Sequence, residues 1–137
     1  MMEDKRITYA TIAGRKFPLC LTVAAHQKII DTYGGLQQMA QAMSEGELGI
    51  PQTAKLAHIL MEGGTARVKA LAWMEGEEPP ILHEVPPLET LQELLDMADI
   101  KQISNKLFEA IRVSRGVTVE VESKEDNNTK NADATQE

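Results

Sequence analysis

Cysteine is almost missing from this sequence. Cys20 is the single one in 137 residues, so no intramolecular disulfide can form, and the chain suits a reducing compartment. Cys20 stands in the apolar stretch Phe17-Pro18-Leu19-Cys20-Leu21, with no Cys-His signature around it, and is expected to be a small buried hydrophobe. Positive charge is also scarce. Lys and Arg number 14 against 21 Asp and Glu, a net charge of −7, which argues against a surface built to neutralise phosphates, and hence against nucleic acid as a partner. Long apolar runs are lacking too. The longest uncharged one, residues 17–27, falls short of the roughly 20 residues that span a bilayer, and the start of the chain has no signal-peptide core. A cytoplasmic protein without a membrane partner is the expectation.

Catalytic and metal patterns are missing in the same way. His26, His58 and His83 fall in three separate predicted elements, without the His-x-x-x-His or Cys-x-x-Cys spacing of a metal site. Gly34-Gly35 and Gly63-Gly64 follow predicted helices, whereas a phosphate cradle follows a strand and opens a helix. The pair Glu77-Glu78 stands beside prolines in a predicted loop. No nucleophile or metal set comes with a supporting base, so neither an enzyme nor a cofactor is expected.

What is present is a 42% apolar fraction, ordinary for a globular chain, arranged mainly in helical stripes. The exception is the start. Ile7-Thr8-Tyr9-Ala10-Thr11-Ile12 alternates as a strand, Ala13-Gly14-Arg15-Lys16 supplies a turn, and Phe17 to Leu21 returns, with Pro18 requiring an open edge. Thr22 then caps a helix over 23–33, which Gly34-Gly35 ends. A second helix covers 36–43, where Leu36, Met39, Ala40 and Met43 recur at helical spacing. Pro51 opens a third over 51–62, Gly63-Gly64 stops it, and Thr65 caps a fourth over 66–75. Residues 76–87 hold four of the six prolines and read as an irregular connection. A fifth helix covers 88–97, and Asp99 caps a sixth over 100–114.

The predicted fold is therefore mainly α: an N-terminal β-hairpin followed by about six short helices, residues 1–116 in all. Residues 117–137 form a separate unit. They hold six acids and two bases, so −4 of the net charge lies there. Val117 to Val121 alternates like a short strand, free to pair with the hairpin, and residues 123–137 read as a disordered acidic tail. Residues 51–75 also have the outline of a helix-turn-helix DNA reader. Its recognition helix would carry only Arg67 and Lys69, with Glu75, Glu77 and Glu78 next to it.

Three stretches together carry a family likeness. They are residues 12–25 (Ile-Ala-Gly-Arg-Lys-Phe-Pro-Leu-Cys-Leu-Thr-Val-Ala-Ala), the helix end 29–36 (Ile-Ile-Asp-Thr-Tyr-Gly-Gly-Leu), and the two closing helices, 88–100 and 107–115. Over residues 7–115 the chain resembles the tail assembly chaperones of long-tailed bacteriophages and prophages. The resemblance implies a non-enzymatic protein that coats the tape measure protein before tail tube subunits polymerise, and that is displaced from the finished virion. It implies a longer frameshifted form that recruits tail tube protein, self-association along the rod, and action in the bacterial host cytoplasm. The alternative is a helical adaptor or another phage structural component. A face for an apolar helix is expected from Leu36, Met39, Met43, Leu60 and Met61, since methionine repacks readily against varied partners.

Overall fold

The computed structural model describes residues 6–45 and 49–116. Residues 117–121, read as strand-like, and the acidic tail to 137 lie outside the described residues. Two strands, β1 (Thr8–Ile12) and β2 (Arg15–Leu19), precede five helices: α1 (Val23–Tyr33), α2 (Leu36–Met43), α3 (Ile50–Met74), α4 (Leu88–Leu94) and α5 (Ile100–Ser114). The expected hairpin-plus-helices architecture is present, with five helices in place of six.

The hairpin forms because Ala13 and Gly14 both take positive φ, 52° and 79°, the pattern of a two-residue turn whose twist matches that of the strands. Register runs from Ile12 opposite Arg15 to Thr8 opposite Leu19. The residues closing such a turn exchange hydrogen bonds and the pairs then alternate, so Tyr9–Pro18 is a non-bonded pair. Pro18 therefore needs no donor towards β1. Thr8, Ala10 and Ile12 face inward, whereas Tyr9 and Thr11 face out. Lys16 Nζ lies 5.3 Å from the centre of the Tyr9 ring on that outer side.

Helix α1 starts as anticipated. Thr22 Oγ1 accepts from the Ala25 N–H at 3.1 Å, and Gly34 closes the helix with its N–H on the Ile30 carbonyl at 2.9 Å. Helices α2 and α5 have the predicted bounds. Helix α4 stops at Leu94, three residues earlier than expected. Asp96 is the reason: its carboxylate accepts from the Asp99 N–H at 3.1 Å, giving the backbone a local alternative to another helical turn. Asp99 stands at the N-cap of α5 as expected but makes no side-chain capping bond, its backbone being helical (φ −92°, ψ −12°) and not extended.

The main correction concerns Gly63 and Gly64. They do not end a helix. They lie inside α3, which runs unbroken for 25 residues, so the third and fourth predicted helices are one. The glycines are there for close approach. A Cβ on Gly63 would strike the Cys20 carbonyl and come within 3.2 Å of Ala25 Cβ. A Cβ on Gly64 would strike the Pro18 carbonyl and come within 2.7 Å of Leu19 N. The backbone of β2 thus rests directly on the helix, and the Cys20 N–H donates to the Leu60 carbonyl at 3.1 Å. The break that a helix-turn-helix requires is absent from 51–75, which removes the structural basis of the DNA-reader alternative.

Helix α3 is the central element. Its Leu56, Leu60 and Met61 are fully buried together with Leu19 of β2, Ile29 of α1, Leu91 of α4 and Leu107 of α5. Cys20 is 2% exposed, as expected of a small hydrophobe. The proline-rich connection is irregular, as predicted, but tied down: Val85 packs on the core and the His83 ring lies 6.0 Å from that of Phe17.

Tyr33, at the end of α1, donates from Oη to the Gln52 carbonyl at 3.1 Å, linking α1 to the start of α3. Burial pushes its pKa up from 10.0 to about 12. The folded state holds the phenol neutral more strongly than the unfolded chain, so this contribution is complete below pH 10 and is lost as pH rises from 10 towards 12. Tyr33→Phe is expected to cost about 1 kcal/mol at neutral pH through the lost hydrogen bond. Its unfolding midpoint should also fall less steeply than that of the parent between pH 10 and 12. Urea titrations across that range read both effects.

Candidate functional site

The residues chosen from sequence as a binding face are brought together, but inside the molecule. Met39 is 2% exposed, Leu60 and Met61 are wholly buried, and Leu36 and Met43 pack partly buried against the same cluster. As folded, Met39, Leu60 and Met61 are core, and of the five only Leu36 and Met43 keep part of their surface exposed. Leu60 and Met61 lie on α3 where it packs against β2, α1, α2, α4 and α5, and Met39 is buried on the facing helix α2.

Apolar surface is instead exposed where α3 outruns the body. Gly63, Ala66, Ala70 and Met74 follow one another at helical spacing on the side of α3 turned towards the start of α1. Gly63 lets α1 come close: its added Cβ would meet Thr22 Oγ1 at 3.4 Å as well as Ala25. From that contact α1 runs back towards the start of α3, where Tyr33 bonds to Gln52, and α3 continues past the start of α1. A groove of about 400 Å³ opens between Thr22 and Ala24 on one wall and Ala66, Arg67, Ala70, Leu71 and Met74 on the other. Large apolar groups stand around it. Val23 is 90% exposed, Met74 73% and Trp73 77%.

Alanines floor this groove and bulkier side chains rim it, so a ridge of apolar side chains could enter without repacking the core. Its charges are few. Below it, Lys28 of α1 pairs with Glu62 of α3 at 2.8 Å, an exposed contact worth about 0–1 kcal/mol. A second, smaller apolar patch lies at the end of α4, where Leu94 and Met97 are exposed beside a pit of about 210 Å³ lined by Ile50, Pro51, Ala54 and Ile100.

Four apolar residues, Val68, Leu71, Ala72 and Trp73, lie in the last part of α3. The structure buries Val68 and Ala72 and leaves Trp73 out. Carrying the helical phase through the glycines separates them. Nine residues at about 100° each put Trp73 half a turn round from Gly64, whose missing side chain marks the buried side.

Among the described residues, no group of three or more His, Cys, Asp and Glu is placed to hold a metal ion, and no helix is long and apolar enough to cross a membrane. No family model, no curated protein and no solved structure matches the chain.

Proposed function

We propose that this protein is a non-enzymatic tail assembly chaperone of a long-tailed phage or prophage, which binds the tape measure protein in the host cytoplasm and keeps it soluble until the tube forms around it. The observation that carries the reading is the α1–α3 groove. It is an open apolar channel floored by Ala66 and Ala70 and rimmed by Met74, with Val23 and Trp73 exposed beside it. A soluble domain has little reason to expose a tryptophan and a methionine side by side unless they meet a partner. A helix carrying apolar residues at i, i+3, i+4 and i+7 has the chemistry such a channel takes. A tape measure rod repeats that pattern along its length, so many copies would bind in series, with self-association between neighbours. A longer frameshifted form, if made, would carry its recruiting segment for tail tube protein beyond the acidic tail.

The test is co-expression with a fragment of the tape measure protein encoded in the same genome. A soluble complex is expected from the parent chain. Ala70→Glu, which sets a charge on the groove floor at a solvent-exposed position, should leave the unfolding midpoint within about 0.5 kcal/mol of the parent. It should weaken the complex at least ten-fold by calorimetry. An insoluble fragment, or a complex indifferent to Ala70→Glu, would count against the groove as the binding surface.

A further inference from the structure

The two edges of the hairpin are finished differently. From Pro18 on, the outer edge of β2 is covered by α3. Pro18 has no donor there, its carbonyl sits over Gly64, and the next donor, Cys20 N–H, is taken by Leu60. The outer edge of β1 is open. With Ile12–Arg15 closing the turn, Tyr9 and Thr11 occupy the non-bonded pairs, so their N–H and C=O groups point away from β2. Neither residue makes a backbone hydrogen bond outside the hairpin among the described residues.

That edge runs along a groove of about 810 Å³ between β1 and α5. Tyr9, Ala10 and Thr11 all line it, although Ala10 faces inward and its neighbours outward. Consecutive strand residues of opposite facing share a cavity only when the cavity follows the backbone edge. The opposite wall is α5, from Gln102 to Glu109. An exposed edge of this kind pairs with whatever strand reaches it first.

The chain itself delivers one. Ser114, at the end of α5, accepts from the Leu21 N–H at 2.9 Å and donates to the Arg6 carbonyl at 3.3 Å, which fixes the end of α5 at the entry to β1. The end of α5 and Gly116 therefore stand beside Arg6, just before β1, and 21 residues follow Gly116 in the sequence. They begin Val117-Thr118-Val119-Glu120-Val121, an alternation of β-branched valines with polar residues. Five residues at about 3.3 Å each match the length of β1.

We propose that residues 117–121 of this chain dock as a third strand on the open edge of β1, parallel to it, in the groove against α5. Val117, Val119 and Val121 take the inner side with Ala10 and Ile12, and Thr118 and Glu120 the outer side with Tyr9 and Thr11. The bonds go to the Tyr9 and Thr11 backbones, and the edge is closed to a second copy. This inference stands apart from the chaperone reading, since it concerns the isolated protein.

Amide hydrogen exchange by NMR tests it on three chains: the full one, the full one with Val119→Pro, and one ending at Gly116. In the full chain the Tyr9 and Thr11 amides should exchange at least ten-fold more slowly than in the other two. The Ala10 and Ile12 amides, which face β2, should be equal in all three. If the shortened chain does not fold, the comparison with Val119→Pro decides alone. Equal exchange at Tyr9 and Thr11 in the full and Val119→Pro chains overturns the proposal. So does protection that survives Val119→Pro and rises with protein concentration, because the occupant is then a second copy.

Discussion

Gly64→Ala is expected to destabilise the protein by about 3 kcal/mol or more, read as a fall in the unfolding midpoint with unchanged denaturant slope. In an open helix the same change stabilises by about 1 kcal/mol, because glycine is a poor helix former. The sign reverses here because the new methyl group would meet backbone, the Pro18 carbonyl and Leu19 N at 2.7 Å, and not the movable end of a side chain. Relief would require lifting β2 off α3, breaking the Cys20–Leu60 hydrogen bond and opening the core at Leu19. Gly63→Ala meets the Cys20 carbonyl and should behave alike. Were the pair a break between two helices, with glycine in the left-handed conformation of a helix end, alanine would cost only about 1–2 kcal/mol, so the size of the loss decides between the two arrangements.

Leu60→Ala should cost about 2–5 kcal/mol, because it opens a cavity in a fully buried site whose surroundings are backbone and large side chains. Calorimetric affinity for an apolar helix, measured where the variant is still folded, should stay within two-fold of the parent. This separates core from contact at the residues that sequence alone marked as a face. An affinity loss of ten-fold or more in a folded Leu60→Ala chain would return the binding surface to Leu60 and Met61. Ala70→Glu carries the opposite expectation, with stability kept and affinity lost.

How much of this was legible in the sequence depends on the range of the forces involved. The Thr22 cap and the bounds of α1, α2 and α5 follow from chemistry within a few residues, and each was readable in advance; so was the hairpin, but its turn is Ala13-Gly14 alone, and Arg15 and Lys16, read as turn, begin β2. Gly63-Gly64 was not. A glycine pair means a stop when the next residues turn away, and a notch when another backbone lies on it. What selects the notch here is β2, more than 40 residues earlier in the chain. The same limit governs the site. Met61 and Met74 look equivalent as apolar residues of helical segments, and only the point where α3 outruns its neighbours makes one core and the other surface.

The bridge made by Ser114 has a consequence in time. It joins residues 93 and 108 positions apart in the chain, so it forms only long after the hairpin has been made. At synthesis rates of roughly 5–20 residues per second, the hairpin waits about 5–20 s before α5 exists to cover its flank. In that interval each nascent chain carries an unpaired strand edge. On messages translated by closely spaced ribosomes, neighbouring nascent chains present the same edge to one another. Yield of the native form should therefore depend on translation speed and on crowding of the message, and not on equilibrium stability alone.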